Sequence, residues 1–466
     1  MLKDQNVLNQ HKIEEIPKAP SFKKLLGPSF ILLGLGLGSG ELIMWPYLTS
    51  KFGMGIIWAA VIGITMQFFI NMEIERYALV RGESIFVGLA RFGKLFPFWF
   101  IFSTIIPWMW PGIITSSATI LGNVLGITNT RLFSIILLIL VGVILTLGPV
   151  LYKTQEFVQK YMILIGTPFI FLLVLVLAKA PDWSALGQGL IGKGLDYWFL
   201  PATIPFASFL GAIAYAGAGG NLNLAQSFYI KEKGFGMGKF AGRITSLLTG
   251  KSENIDLTGT KFEINDEQVS RFKKWWRLIN IEHGIVFWAM GAITIVLLAF
   301  LSYLTVFGSG GVNNLSFVFS EALVIGQKTF PFVGSLFLII ASLMLFSTQL
   351  GVMDTTSRIL TENLTLISPN KFPSSSIRRN FYVFLWIQII LGIIILAIGF
   401  SEPLTLLTLS AVLNALSMFV YIGLVAYLNY KKLEKPIRPS LFRMGVLLFM
   451  FIFFGFFSIK TLLSFL

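Results

Sequence analysis

The chain contains no cysteine, so disulfide bonds, cysteine metal sites and thiol catalysis are excluded. Charge is also scarce: charged residues make up 12% of the 466 residues, whereas a soluble domain carries about a quarter. Long apolar runs alternate with short charged joints, and several runs exceed the ~18 residues that cross a bilayer. The mean hydropathy is +0.79. We therefore predict one all-α polytopic membrane domain that lies in the lipid bilayer.

The net charge of +14 does not indicate nucleic-acid binding, because the basic residues lie between hydrophobic spans. We predict eleven membrane spans, numbered along the chain. Their approximate bounds are 25–49, 54–79, 96–121, 132–151, 157–178, 199–229, 281–306, 331–357, 381–400, 403–429 and 442–464.

The distribution of basic residues predicts the orientation of these spans. If the N-terminus is cytoplasmic, 30 of the 36 lysines and arginines fall in cytoplasmic segments, as the positive-inside rule requires. The polar residues 1–24 show no cleavable signal peptide. We expect a multi-pass protein of the cytoplasmic membrane with its N-terminus inside and its C-terminus outside.

The segments between the spans carry predictions of their own. Residues 313–328 are predicted to form a short amphipathic helix on the membrane, and residues 255–264 a small hairpin. Loop 231–277 is interpreted as a solvated connector, with a regulatory role as the alternative. The predicted spans divide the chain into four parts, which are a cytoplasmic tail (1–24), a first five-helix repeat (25–180), a second five-helix repeat that contains loop 231–277 (199–430) and an eleventh helix (441–466).

Two glycine clusters interrupt otherwise apolar spans at matching positions. Gly34-Leu-Gly-Leu-Gly-Ser-Gly-Glu41 lies in span 1, and Gly211-Ala-Ile-Ala-Tyr-Ala-Gly-Ala-Gly-Gly-Asn221 lies in span 6. Each cluster lies in the first span of a group of five. Because five is an odd number, the second group starts on the other side of the membrane and is inverted relative to the first. Inverted repeats with interrupted first helices are typical of transporters with a midplane site. The alternative for each cluster is close helix packing through small residues.

Glu41 is the main candidate for a functional side chain. It lies sixteen residues into span 1, about 24 Å along a helix, and a charge at that depth costs at least ~2.5–3.5 kcal/mol unless it has a partner. We expect it to bind a cation or carry a proton. Asn221 and Asn223 follow the second cluster; their amide oxygens suit a hard cation, and capping of the restarted helix is the alternative.

Other polar residues lie near the predicted cytoplasmic ends of the spans. Asp354 and Arg358 are four residues apart and favour a helical ion pair; a second cation site or gate from Asp354, Thr355 and nearby hydroxyls is the alternative. His283, which follows Glu282 at the start of span 7, is a candidate proton relay or a structural residue. The functional interpretation of Glu73, Glu75 and Arg76 is a charge network that serves as a proton path or inner gate.

The first two spans resemble the divalent-metal transporters of the Nramp family. Gly27-Pro-Ser-Phe30, seven residues and Gly38-Ser-Gly-Glu41 align without a gap with that family's Gly-Pro-Gly-Phe, seven residues and Asp-Pro-Gly-Asn. Arg76-Tyr-Ala-Leu-Val-Arg-Gly82 is similar to the family's Arg, five residues and Gly. In span 6, Asn221-Leu-Asn-Leu falls where the family has Met-Pro-His-Asn-Leu.

The resemblance implies a LeuT-type fold: a 5+5 inverted repeat with discontinuous helices 1 and 6, plus an eleventh transmembrane helix. It also implies substrate ligands from spans 1 and 6. The family's metal-binding Asp falls on Gly38, its Asn on Glu41 and its Met near Ala218, so the thioether that suits transition metals is missing. The implied metal ligands are Glu41 and Asn221, within a substrate-binding set of Glu41, Gly38, Gly40, Ala218, Gly219, Asn221 and Asn223.

We therefore expect a secondary transporter of a cation, a divalent metal ion of the Mn²⁺/Mg²⁺ type. The alternative is a sodium- or proton-coupled transporter of a small organic solute such as an amino acid. A sensor built on a transport fold is disfavoured by the short N-terminal tail. An enzyme is not expected, because no His-Glu-x-x-His motif and no pair of catalytic carboxylates is found. We expect no cofactor beyond the transported cation and a coupling H⁺ or Na⁺, and the sequence indicates no oligomeric state.

Overall fold

The computed structural model describes residues 11–147, 151–242, 244, 257–309 and 314–463. Within these residues, ten helices are long and apolar enough to cross a membrane. These ten helices correspond to the predicted spans except span 6, which consists of two short helices. The spans are Pro28–Phe52, Trp58–Arg81, Leu95–Leu125, Thr130–Leu147, Leu151–Leu177, Phe206–Ala214 with Gln226–Lys233, Asp266–Val306, Pro331–Ile367, Ile377–Ala397, Pro403–Lys432 and Leu441–Leu463.

Several short elements join the spans. The predicted amphipathic helix is confirmed as Ser316–Lys328, and further helices are Ile85–Ala90 and Ala180–Leu190. Span 3 consists of Leu95–Trp108 and Gly112–Leu125, separated at Pro111, which lacks the amide hydrogen a helix needs. The remaining single turns of 3₁₀ helix are Phe22–Lys24, Met54–Ile56, Gly236–Phe240, Ser374–Ser376 and Lys435–Ile437.

Span 7 begins well before its predicted start at residue 281. Asn265 caps the helix by accepting a hydrogen bond from the Gln268 amide at 2.9 Å, so the helix begins at Asp266. Its first part is polar and carries the basic residues Lys273, Lys274 and Arg277. Hydropathy detects only the apolar part of such a helix.

The N-terminal tail is bound to the loop before span 7. Strand Lys12–Ile13 pairs in parallel with strand Thr260–Lys261. The hairpin predicted over 255–264 is therefore wrong for the residues that the structure describes, because strand Thr260–Lys261 pairs with the N-terminal tail and not with a neighbouring strand of the same loop. Trp275 donates a hydrogen bond to the Pro17 carbonyl at 2.7 Å, which continues the same contact.

Span 1 occupies the centre of the molecule. In its most apolar stretch, 94% of the residues are buried, whereas the corresponding value for span 11 is 28%. Span 1 packs on spans 7 and 8, and the first half of span 6 packs on span 10. The glycine cluster of span 1 therefore lies where the two halves of the chain meet.

Candidate functional site

The centre of span 1 is wound as a π-helix over Leu37–Met44, between α-helical turns on either side. The interruption therefore takes the form of widened turns, and the helix does not open. Thr348 of span 8 inserts at this point: its hydroxyl accepts from the Gly38 amide at 3.0 Å and donates to the Gly34 carbonyl at 2.8 Å. Widened turns of this kind are frequent at functional sites.

The glycines of span 1 allow neighbouring backbones to approach closely. A Cβ atom at Gly40 would overlap the Tyr215 carbonyl oxygen, and one at Gly36 would overlap the backbone of Gly217. The close-packing interpretation therefore applies to this face of span 1, which touches the break in span 6. Gly38 lies against Thr348 instead. The same cluster thus joins the two repeats and forms the widened turns.

Span 6 opens completely between its two halves. The first helix ends at Ala214, and the chain resumes as a 3₁₀ helix over Gly220–Ala225. Gly217, Gly219 and Gly220 have φ values of 130°, 74° and 52°, which side chains other than glycine rarely tolerate. Ala218 lies in this open stretch.

Gln67 of span 2 bridges the gap in span 6. Its Nε2 donates to the Ala214 carbonyl at 3.0 Å, and its Oε1 accepts from the Gly219 amide at 3.2 Å. Backbone groups freed within a membrane must find such partners, because lipid offers none. One buried side chain therefore satisfies one group on each side of the break.

Glu41 lies in the π-helical segment and is completely buried. Neither of its carboxylate oxygens has a hydrogen-bond partner among the described residues, and the hydroxyl of Ser39 also lacks one. No group of three or more histidines or carboxylates that would hold a metal ion occurs in the described part of the chain. An ion at Glu41 would take its other ligands from amide, hydroxyl or backbone oxygens.

The amide side chains after the break in span 6 are held by their nitrogen atoms. Asn221 Nδ2 donates to Ser103 Oγ at 2.8 Å and to Thr104 Oγ1 at 2.9 Å, both in span 3. Asn223 Nδ2 donates to the Tyr421 hydroxyl at 2.9 Å. Both side-chain oxygens are buried without a partner in the described part of the chain, and neither residue caps the restarted helix. The two amides therefore present free acceptors.

Asn414 of span 10 is a further amide that the sequence analysis did not single out. Its Nδ2 donates to the Tyr215 hydroxyl at 3.0 Å, and this hydroxyl lies 2.6 Å from Ser410 Oγ. The Asn414 oxygen has no partner among the described residues and lies against Gly220, where a Cβ atom would overlap it. Its signal in the sequence was a polar side chain within an apolar span.

The polar residues of span 8 are occupied by other side chains. Both carboxylate oxygens of Asp354 accept from Arg358 Nε at 3.0 Å, so the expected i,i+4 ion pair is present. Arg358 also pairs with Glu232 of span 6. Thr355 lies 2.5 Å from the Tyr229 hydroxyl. A cation at Asp354 would have to displace the arginine.

The residues predicted as a proton path or inner gate fall into two separate groups, Glu73 with Arg76 and Glu75 with His283. Glu73 accepts from Arg76 at 2.8 Å and pairs with Arg443 of span 11 at 3.4 Å. Glu75 contacts His283 instead, at 3.0 Å. Spans 2, 6, 7, 8 and 11 all bring charged residues to this end of the molecule, among them Arg76, Arg358 and Arg443. We call it the basic end.

The opposite end of the molecule contains a cavity of about 570 Å³ between spans 1, 6 and 10. Met44, the last residue of the π-helical segment, is part of its wall, so the cavity reaches the centre of span 1. The lining is mainly apolar, with hydroxyl groups and no charged side chain. Its other residues include Tyr47, Ser208, Thr408 and Val412.

Glu321 is another buried carboxylate that the sequence analysis missed. It lies on the helix Ser316–Lys328, outside the spans, and is 2% exposed. Burial raises its pKa well above the usual value for glutamate. Its Oε1 atom has no partner among the described residues. The neighbouring Phe317 contacts the Tyr47 ring of span 1 at 6.0 Å, which places this helix beside the cavity.

No family model and no curated protein matches the chain. Solved structures do match. A manganese transporter of Eremococcus coleocola, crystallised as a mutant, is 15% identical with a TM-score of 0.71, over 97% of this chain and 89% of that chain. Mhp1, a nucleobase-cation-symport-1 family transporter solved closed with bromovinylhydantoin bound, is 15% identical with a TM-score of 0.52, over 96% and 94%.

MhsT, solved in complex with L-phenylalanine, is 12% identical with a TM-score of 0.51, over 94% of this chain and 98% of that chain. At these identities the likeness shows the fold alone. The chain therefore has the LeuT-type fold, with a 5+5 inverted repeat and an eleventh helix, and the predicted fold class is confirmed. Helix 6 is discontinuous as predicted, whereas helix 1 is widened and continuous.

Proposed function

We propose that the protein is a secondary active transporter that moves a cation, a divalent metal ion of the Mn²⁺/Mg²⁺ type, across the cytoplasmic membrane by alternating access. The basic end faces the cytoplasm in this proposal, with the N-terminus inside and the C-terminus outside. The observation that carries it is Glu41, a completely buried carboxylate without a hydrogen-bond partner among the described residues.

An ionised carboxylate in this position is unstable without a counter-charge, because burial removes its hydration. A bound cation supplies that charge. Glu41 and Asn221 are the proposed side-chain ligands, and Gly38 and Ala218 the proposed carbonyl donors, with Gly40, Gly219 and Asn223 beside them. Oxygen ligands of this kind suit Mg²⁺ and Mn²⁺. The likeness of the fold to a manganese transporter supports the same class of substrate.

Alternating access requires one end to open while the other is closed. The cavity between spans 1, 6 and 10 opens one end down to Met44. At the basic end, the contacts of Glu75 with His283 and of Arg358 with Glu232 join different spans. This arrangement corresponds to a state that faces outward and is closed towards the cytoplasm.

The test is uptake of Mn²⁺, Mg²⁺ and Ca²⁺ into proteoliposomes, with the unmodified protein beside Glu41→Gln. We expect saturable uptake of Mn²⁺ or Mg²⁺ that Glu41→Gln abolishes. Glu402→Gln, which neutralises an exposed carboxylate before span 10, is the matched control and is expected to retain uptake. Absence of metal uptake by correctly folded protein would contradict the proposal.

A second candidate function is coupled transport of a small organic solute. The specific observation in its favour is the size of the cavity, about 570 Å³, which exceeds the needs of a bare ion. In this case Glu41 would face an amine, and Na⁺ or H⁺ would drive transport. Uptake of labelled amino acids that depends on a sodium or proton gradient, with no metal uptake, would favour this function over the first.

A further inference from the structure

A buried cluster at the basic end joins four spans through a single histidine. His283 Nδ1 of span 7 lies 3.0 Å from Glu75 Oε1 of span 2 and 2.8 Å from Ser29 Oγ of span 1. Ser29 Oγ in turn donates to Glu282 Oε2 at 2.5 Å. Gln226, the first residue of the second half of span 6, donates to Glu75 Oε1 at 2.7 Å. The cluster therefore ties together the two interrupted spans and their neighbours.

The cluster contains two carboxylates and one imidazole, all at most 2% exposed. The ring of His283 stacks between Phe68 and Phe287, at centroid distances of 5.7 and 4.7 Å. The His283 Nε2 atom and the Glu282 Oε1 atom have no partner among the described residues. The cluster thus has an unused nitrogen and an unused oxygen at which a proton can be gained or lost.

No lysine or arginine among the described residues hydrogen-bonds to Glu75 or Glu282. The nearby cations are held elsewhere: Lys233 by Glu156 at 2.7 Å, and Arg443 by Asn280 at 2.6 Å and by Glu73 at 3.4 Å. The charged or titratable groups that surround the cluster are Lys233 and Glu232 of span 6, Tyr152 and Glu156 of span 5, Arg443 of span 11, and Glu73 and Arg76 of span 2.

The number of bound protons decides the charge of this cluster. With both carboxylates ionised and His283 charged, its net charge is −1; one further proton makes it neutral. A net charge in a buried site costs several kcal/mol, so the packed arrangement favours the neutral cluster. Loss of protons leaves negative charge that water or a cation can stabilise only if the spans separate.

We propose that Glu75, Glu282, His283 and Ser29 form a proton-operated latch that holds the basic end closed and releases it when protons leave. The inference rests on the proposed alternating access, and it gives that mechanism a site at which protons bind, distinct from Glu41. Ser29 is a positioning residue, because it connects Glu282 to His283 and anchors the start of span 1.

The test uses the absence of cysteine, since an introduced cysteine is the only thiol in the full chain. Ala225→Cys places a thiol at a buried position directly before Gln226. Labelling by a membrane-impermeant thiol reagent in nanodiscs then reports opening of the basic end. Ser208→Cys, in the wall of the cavity, corrects for the intrinsic pH dependence of thiol reactivity.

The ratio of the two labelling rates is expected to rise severalfold from about pH 5.5 to about pH 8, as the cluster loses protons. With Glu282→Gln, the remaining Glu75–His283 pair is neutral with one bound proton fewer than the full cluster needs, so the rise in the ratio is expected to be smaller than in the protein that keeps Glu282. Glu434→Gln removes a carboxylate that is 37% exposed and paired with Arg81 at the same end, and is expected to retain the rise.

A ratio that does not change with pH in the unmodified protein, or an unchanged rise in Glu282→Gln, would overturn the latch. If Glu282→Gln does not fold, Glu75→Gln removes the other carboxylate and is judged by the same outcomes. The experiment needs no transported substrate. The rise is expected to persist with Glu41→Gln, so a failure of the cation proposal and a failure of the latch can be told apart.

Discussion

The two glycine clusters are similar in sequence but differ in structure. Span 1 stays helical and widens into a π-helix over Leu37–Met44, whereas span 6 opens between Ala214 and Gly220. Thr348 inserts beside span 1 at one point, but Gln67 holds backbone groups on both sides of the gap in span 6. Glycine thus permits an interruption, and the side chains of neighbouring spans decide its form.

Gly40→Ala tests whether the contact between the two clusters tolerates any side chain. The added Cβ would overlap the Tyr215 carbonyl oxygen, which belongs to the backbone and has little freedom to move. We expect a loss of about 3 kcal/mol, seen as little folded protein by size-exclusion chromatography. Gly445→Ala in span 11 meets no atom within 4 Å and is the matched control; normal recovery of both variants would contradict the close contact.

Gln67→Leu tests the support of the opened span. It leaves the Ala214 carbonyl and the Gly219 amide without their partner, at a cost of about 1–3 kcal/mol for each buried group. We expect a fall of several degrees in the midpoint of thermal unfolding. A midpoint equal to that of the unmodified protein would show that the opened span is supported by other groups.

Thr348→Val tests span 1 in the same way. The substitution preserves shape and removes one hydroxyl, which accepts from the Gly38 amide and donates to the Gly34 carbonyl. We expect a loss of about 1–2 kcal/mol, smaller than for Gln67→Leu, because the neighbouring helical hydrogen bonds remain. If thermal unfolding showed the larger loss for Thr348→Val, span 1 rather than span 6 would depend more on its inserted side chain.

Glu321→Gln compares a carboxylate outside the spans with Glu41 in the first cluster. The pKa of Glu321 is raised in the folded state, so its protonated form stabilises the protein at low pH, and this contribution is lost as pH rises above the unfolded value of about 4.3. We expect Glu321→Gln to be more stable than the unmodified protein at about pH 8, by about 1 kcal/mol, with little difference at about pH 4. Thermal unfolding at both pH values measures this; an equal difference at both would contradict it.

Glu41→Gln has the smallest expected effect on stability. Glu41 has no partner to lose among the described residues, so its neutralisation is expected to leave the unfolding midpoint unchanged or slightly higher. Asp354→Asn is the contrasting variant, because it leaves Arg358 with an incompletely paired buried charge, at a cost of about 3 kcal/mol. Similar losses in both variants would show that Glu41 has a structural partner.

The polar residues show how far prediction from the sequence extends. Glu41 was identified because a charged residue stood alone in an apolar span, and the structure shows it buried without a partner among the described residues. The spacing of Asp354 and Arg358 predicted their ion pair, but not the contact of Arg358 with Glu232. The separation of Glu73 from Glu75 was not predictable, because their partners come from spans 11 and 7.

By itself, the sequence determined that this is a multi-pass membrane protein and where its two interruptions lie, because hydropathy and glycine content are local properties. Only the tertiary structure decided which interruption opens and which buried carboxylates are paired. Those outcomes depend on hydrogen-bond partners such as Gln67 and Thr348, which lie 147 and 310 residues from the groups they hold. In a membrane every freed backbone group needs such a partner, and only the folded chain brings them together.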